Sequence, residues 1–415
     1  MNIHQLIKNK DIDGIKQFMR DNDLKLDGNK IVPVNEQSKQ NLNNKKNFYN
    51  QNQNIKKTRL NSLYGALLNG ALRFYDERLG QSTTLSGRSI TRHMNATVNE
   101  TITGKYDYKG EAIFAVDTDS SYFSAYEYLK DKPEYKDFDW SKENIIELYD
   151  AIMETTNQTF PDFMMKTFHT TRERGAFIKA GRELVGSTAL FIKKKKYAIM
   201  MYDKDGFRYD ENGSPGKMKI MGLDMKRSDT PLFMQKFLEG VLKDILTDVP
   251  KEEIYPKVKE FREKFKERPS WEKGTPKKVQ NLSVYFYKRK DARSIKMTSD
   301  KSKKGKVNTP GHVLASLNWN TLCEYYGDDY SQKIDDGARI VVCSLKKNSF
   351  NMTSIAYPMD EPHLPEWFMK LPFDDAAMEE VIIDMKMDNL VGVLNWDLSQ
   401  TKYNPVEDFF SFKKK

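Results

Sequence analysis

The apolar residues change period once within the first third of the chain, and that change imposes a mixed fold. From Ile55 to about Thr101 they recur at helical intervals, broken at Gly80-Gln81-Ser82. Over 111–128 they alternate, with aromatic and β-branched residues around Asp117-Thr118-Asp119, which predicts a β-hairpin. Ser141 occupies an N-cap position ahead of Ile145, Leu148, Tyr149 and Ile152, so a helix starts there. Strand-like runs return over 176–209 and from Met218 to Leu223, separated by Asn212-Gly213-Ser214-Pro215-Gly216. Beyond Pro231 the pattern is helical to about residue 267, and residues 339–344 read as a strand. Segregated helices and hairpins of this kind belong to the α+β class.

Other stretches are less determined. Residues 3–20 fit two short helices interrupted near Asp13-Gly14, and residues 35–54, rich in Asn, Gln and Lys, fit either an exposed helix or a loop. A basic segment runs from Lys288 to Lys306 against two aspartates, which suits a solvated loop as well as a polyanion contact.

Composition narrows the class of function. The 415 residues hold 68 Lys+Arg against 59 Asp+Glu, a net charge of +9 that favours a polyanionic partner and says nothing of fold. Only Cys323 and Cys343 occur, without a CxxC pair, and the five histidines are scattered, which argues against zinc and against a disulfide scaffold. No apolar run of about 18 residues is present to span a bilayer, and the first residues do not form a secretion signal. A cytosolic protein is expected.

Two segments carry chemistry. In Lys57-Thr-Arg-Leu-Asn61-Ser-Leu-Tyr64-Gly65 the cation, the amide and the ring are spaced four and three apart, on one helix face. Lys57 can neutralise phosphate charge that grows during phosphoryl transfer, Asn61 can bond a phosphate oxygen or sugar, and Tyr64 offers a flat surface. The same spacing fits a surface helix with one buried tyrosine. In the hairpin, Asp117 and Asp119 flank Thr118, so both carboxylates can converge on one hard cation such as Mg²⁺. A plain polar turn fits those residues too. Glu183 follows Gly181-Arg182 in an apolar run where packing needs no carboxylate, and Lys193–Lys196 precede Tyr197 on what reads as one strand. Alternation would send Lys195 and Tyr197 to one face, for a phosphate backbone or as an exposed basic edge. No Walker-type phosphate loop is present.

In order and spacing these segments resemble the C-terminal portion of the family B DNA polymerases, above all the replicative enzymes of T-even-type bacteriophages. Lys57 to Ala66 looks like the family's KxxxNSxYGA fingers motif, Asp117-Thr118-Asp119-Ser120 is similar to the palm's DTDS metal turn, and Arg182-Glu183 falls where the phage enzymes carry another palm carboxylate. Lys194-Lys195-Lys196-Tyr197 looks like the KKRY segment that holds the primer strand. Lys219-Ile-Met-Gly222-Leu223-Asp224 followed by Lys226-Arg227-Ser-Asp-Thr-Pro231 is close to the phage sequence leading into the thumb. Two departures stand out. Ala115-Val116 replace the usual Tyr-Gly before the metal turn, and no DxxSLYPS segment supplies the family's other palm aspartate.

The resemblance implies a partial polymerase right hand: a polar segment over 1–54 near a break in the fingers, a returning fingers helix over 55–100, palm over 101–230 with an antiparallel sheet, and a mostly helical thumb over 231–415. It implies a split replicative polymerase that joins dNTP to a primer 3′-OH. Asp117 and Asp119 would bind two Mg²⁺ ions with Glu183 nearby, Lys57, Asn61 and Tyr64 would bind the dNTP, and Lys194, Lys195, Lys196 and Tyr197 would grip primer-template. A partner chain would bring the first palm aspartate and the exonuclease. Phe409, Phe410 and Phe412 resemble a sliding-clamp docking peptide. The alternative is a non-catalytic primer-template-binding module or an inactive remnant.

Overall fold

A computed structural model of the chain describes residues 3–8, 10–28, 30–291 and 308–402. The tail residues Phe409, Phe410 and Phe412 and most of the basic segment Lys288–Lys306 lie outside the described residues.

Helices α1 (Ile3–Lys8) and α2 (Ile12–Asp21) lead into a hairpin of β1 (Leu24–Asp27) and β2 (Lys30–Pro33). The break between the helices precedes Asp11, which caps α2 by accepting from the Gly14 amide at 2.9 Å, so Gly14 lies inside the helix. Helix α3 (Glu36–Leu67) then runs for 32 residues, capped by Asn35, whose Oδ1 accepts from the Ser38 amide at 2.8 Å. Residues 36–54 are therefore exposed helix rather than loop, and α3 passes through residue 54, where a segment boundary was expected. Ser38 is the one buried residue on it.

Helix α4 (Glu77–Thr103) opens at Asp76, whose carboxylate accepts from the Arg78 and Leu79 amides, and closes at Gly104 in the left-handed region, φ 81°. The interruption of the helical pattern thus spans 68–76 and not Gly80–Ser82. Gly80 is a notch inside α4: a Cβ there would lie 2.1 Å from Leu68 Cδ2. The glycine that reads as a helix breaker serves close packing instead.

Strands β3 (Ile113–Asp117) and β4 (Ser120–Phe123) form the hairpin that the alternation predicts, with a register shift between Ile113 and Ala115. After α5 (Tyr126–Leu129), helix α6 (Lys142–Phe168) starts directly behind Ser141, whose carbonyl accepts from the Ile145 amide at 3.0 Å. The short α7 (Arg172–Gly175) precedes an antiparallel sheet of β5 (Leu184–Lys193), β6 (Lys196–Lys204), β7 (Phe207–Arg208) and β8 (Lys217–Met221). Strand β6 pairs with the other three.

Helices α8 (Leu232–Leu246) and α9 (Lys251–Glu267) pack on that sheet through Leu238, Leu242, Ile254 and Phe265 against Leu190, Ala198 and Met200. Next come β9 (Thr275–Lys278), α10 (Leu282–Asp291), α11 (Gly311–Tyr326), β10 (Arg339–Ser344) and β11 (Ser354–Pro358). Helix α11 covers the antiparallel β9–β10–β11 sheet around Trp319, which is fully buried and donates Nε1–H to the Gln332 carbonyl at 2.9 Å. Helices α12 (Glu366–Met369), α13 (Asp375–Glu379) and α14 (Met385–Val391) follow.

Two compact units result, residues 1–138 with 159–176, and residues 139–158 with 177–415. Among the described residues no helix is long and apolar enough to cross a membrane.

Candidate functional site

The first unit builds a cleft of roughly 840 Å³ between α4 and the β3–β4 hairpin, with Tyr64 at the end of α3 on its rim. Thr84, Arg88, Thr91 and Asn95 reach it because they recur every three or four residues along one face of α4. Thr91 Oγ1 sits 3.4 Å from the Thr118 carbonyl and so ties that face to the hairpin apex.

The apex presents Thr118 and Asp119 to the cleft. Thr118 has φ 59°, an uncommon conformation for a β-branched residue, so the turn between the two carboxylates is strained. Asp117, the last residue of β3, is half-buried, and its Oδ1 accepts from Thr118 Oγ1 at 3.2 Å. It does not line the cleft. The same cleft is lined by the cations Arg88, Arg92 and Lys109. The balance suits an anionic ligand that also meets a carboxylate-held cation.

The structure brings Tyr64 and Asp119 to one cleft. Lys57 and Asn61 lie exposed on α3 in the two turns before Tyr64 and do not line it. Arg88, Arg92 and Asn95 escaped the sequence reading. The signal was there, polar residues at helical spacing on the helix just ahead of the hairpin, but their relation to Asp119 is tertiary.

The other predicted residues belong to the second unit. Glu183 precedes β5 and pairs with Lys219 Nζ at 2.9 Å. The lysine run is not a single strand. Lys193 ends β5, Lys194 and Lys195 form the turn, and Lys196 opens β6 opposite Lys193. Lys195, at φ 63°, sits at the apex, so the expected sharing of one strand face by Lys195 and Tyr197 does not occur. Four successive lysines carry no alternation that could reveal a turn. Tyr197 is buried and stacks on Phe191 across the hairpin, ring centroids 5.1 Å apart.

Among the described residues no group of three or more Asp, Glu, His or Cys side chains converges to hold a metal. The hairpin offers two carboxylates from one turn, a donor set of the right hardness for Mg²⁺ that needs oxygens from elsewhere to complete six-fold coordination. Cys323 and Cys343 are buried and unpaired in a disulfide, and burial pushes the Cys323 thiol up to about 12, so it is no nucleophile.

The profile of the family described as DNA polymerase family B matches residues 34–298 and so includes both the α3 motif and the hairpin. The chain is 26% identical over 327 residues to the DNA-directed DNA polymerase of Enterobacteria phage T4, covering 74% of this chain and 33% of that protein. It is 30% identical over 204 residues to the DNA-directed DNA polymerase of Escherichia phage RB69, covering 46% of this chain and 22% of that protein. The chain thus spans about a third or less of the length of these relatives. With the family profile matching well over half of its residues, this chain belongs to the DNA polymerase family B.

Proposed function

We propose that the chain is the C-terminal subunit of a split phage DNA polymerase and takes part in template-directed nucleotidyl transfer. The observation that carries this reading is the cleft that joins Tyr64, the α4 cations and Asp119. Within the family frame, α3 is the returning fingers helix, the hairpin and the β5–β8 sheet belong to the palm, and the region from residue 231 is the thumb.

The primer 3′-oxygen attacks the α-phosphorus of a dNTP, the bond to pyrophosphate breaks, and the hydroxyl proton passes to solvent water. In this reading Tyr64 checks the nascent pair and Asp119 holds the cation side from within the cleft, while Lys57 and Asn61, outside it on the same helix, take the triphosphate and Asp117 the further cation contact that the family motifs imply. When bound, Mg²⁺ would stabilise charge on the phosphoryl oxygens and favour the ionised hydroxyl. Two-ion catalysis draws carboxylates from separate strands, and the first unit offers them from one hairpin. In this reading a partner polypeptide supplies the other palm aspartate, with the leading fingers helix and the exonuclease. Glu183 assists from the palm. Because Tyr197 is packed on Phe191, the lysines at 194–196 make the primer-template contacts. The aromatic tail at Phe409, Phe410 and Phe412 docks on a sliding clamp.

A second reading is a primer-template-binding module without catalysis, favoured by Ala115-Val116 before the metal turn and by the lack of a three-carboxylate cluster among the described residues. The test mixes this chain with a polypeptide carrying a DxxSLYPS segment, primer-template, dNTPs and Mg²⁺. Extension by the mixture, none by either chain alone, and loss of extension with Asp119→Ala at unchanged DNA binding support the first reading. A mixture that binds DNA and extends nothing supports the second.

A further inference from the structure

Arg182, Arg208, Arg227 and Arg262 each face a carboxylate at 2.9 Å or less. Arg88, Arg92 and Lys109 differ. All three are exposed, all three line the cleft, and among the described residues none of them pairs with an acidic side chain. Arg88 and Arg92 stand four residues apart on one face of α4, about 6 Å along its axis. A concave wall that gathers unneutralised cations is a place for negative charge to settle.

Lys109 comes from the strap between α4 and β3, and that strap is fixed. Asn99, which is 2% exposed, donates to the Lys105 carbonyl at 2.9 Å and accepts from the Ala112 amide at 3.2 Å, so it holds both ends. Asp107 Oδ1 accepts from the Lys109 amide at 2.9 Å, and its carbonyl accepts from the Gly110 amide at 3.1 Å. Tyr108 and Lys109 form the apex of this turn. A Cβ on Gly110 would lie 2.0 Å from Asn99 Cγ, so the turn is pressed onto α4. The Tyr108 ring therefore has a set position. Arg92 Cζ lies 4.7 Å from its centre and Lys109 Nζ 5.6 Å. An arginine stacked on an immobile ring has given up rotamer freedom before any ligand arrives.

The amides of α4 along this wall are spent inside the helix, so no backbone nest greets a compact anion. Cations in succession beside an aromatic ring suit the repeated charges of a nucleic-acid strand. Contacts to phosphate carry no sequence preference, which template-directed transfer requires. We propose that Arg88, Arg92 and Lys109 form a phosphate track for one DNA strand, and that Tyr108 is the positioning residue that aims Arg92 into it. This rests on the polymerase reading for the identity of the polyanion.

The test measures fluorescence anisotropy of the full chain with a labelled single-stranded 12-mer of mixed sequence over a range of salt. Arg88→Ala and Arg92→Ala should each weaken binding about tenfold at low salt and reduce the steepness of log affinity against log salt by about 0.7. Tyr108→Leu should cost about threefold, Tyr108→Phe should bind as the unaltered chain does, and Tyr108→Leu should add nothing to Arg92→Ala. A merely structural tyrosine would give additive losses in the double variant, which overturns its positioning role. Inorganic triphosphate at matched ionic strength should displace the strand no better than sulfate. Displacement at micromolar triphosphate that Arg92→Ala abolishes would assign the wall to a compact anion and overturn the track. Unchanged affinity and salt dependence in both arginine variants overturn the proposal and leave the polymerase reading intact, since the lysine turn still offers a DNA contact. Absence of binding by the unaltered chain at low salt overturns the nucleic-acid reading as well.

Discussion

A Cβ placed on Gly222 would lie 2.2 Å from the carbonyl oxygen of Lys195. The segment after β8 is therefore pressed against the apex of the lysine turn, and Gly222 itself has φ 64°. Both the contact and the dihedral demand glycine. Gly222→Ala should cost about 2–4 kcal/mol, from strained backbone plus displacement of the turn. Urea denaturation measures it, and a cost below about 1 kcal/mol would mean that the turn yields freely.

His93 gives the first unit a pH dependence. Its Nδ1 lies 2.8 Å from the Tyr106 hydroxyl, its Nε2 lies 2.8 Å from Thr159 Oγ1, and its ring stacks on Phe163 at 4.0 Å. Burial holds its pKa below the ordinary 6.5. The unfolded chain then takes up the proton first, so this contribution is complete above pH 6.5 and is lost as the pH falls from 6.5 to the lower folded value. The urea midpoint should decline over that interval, and His93→Gln should flatten the decline. An identical pH profile in the variant would exclude His93 as the source.

Arg262 joins α9 to the C-terminal helices of the second unit. It is 2% exposed, donates Nη1–H to Glu379 Oε1 at 2.9 Å, pairs with Asp384, and reaches Thr401 Oγ1 at 3.2 Å through Nε. Arg262→Ala strands the Glu379 carboxylate, leaves Asp384 with Lys402 as its remaining cation, and should cost about 3 kcal/mol. Arg262→Met, combined with Glu379→Gln and Asp384→Asn, should recover part of that loss. Thermal melts of the three proteins decide it.

If Lys57 and Asn61 hold a triphosphate, each alanine variant in the joined polymerase should lower kcat/KM for dNTP by about 10–100-fold, the worth of a charge-assisted contact. Affinity for primer-template should stay unchanged. A parallel loss of DNA affinity would assign these side chains to the strand instead.

The elements that sequence periodicity revealed are those that bury one face. The β3–β4 hairpin, the start of α6 behind Ser141, and β10 fall where alternation or capping puts them. Helix α3 was legible only from Ile55 onward, because its first half is mostly Asn, Gln and Lys and holds too few apolar residues to set a period. Gly80 misled for the opposite reason, as its small size serves Leu68 and not a turn. Asp76 before Glu77 was the better marker of the helix start. At the site, Tyr64 and Asp119 were readable as local motifs. Arg88, Arg92 and Asn95 were not, since only the approach of α4 to the hairpin gives them a common purpose.

Helix α3 bears Lys57, Asn61 and Tyr64, yet almost its entire length is bathed in solvent, with Phe48, Tyr49, Leu60 and Leu63 each at least 60% exposed. A helix with almost no buried face depends on its own backbone bonds, and little tertiary packing opposes its local opening here. The three side chains thus ride on a conditional scaffold whose amides should exchange hydrogen far faster than those of β6. Any molecule that grips them must first still that motion, so its association should become weaker on warming and carry a large, temperature-dependent entropic penalty.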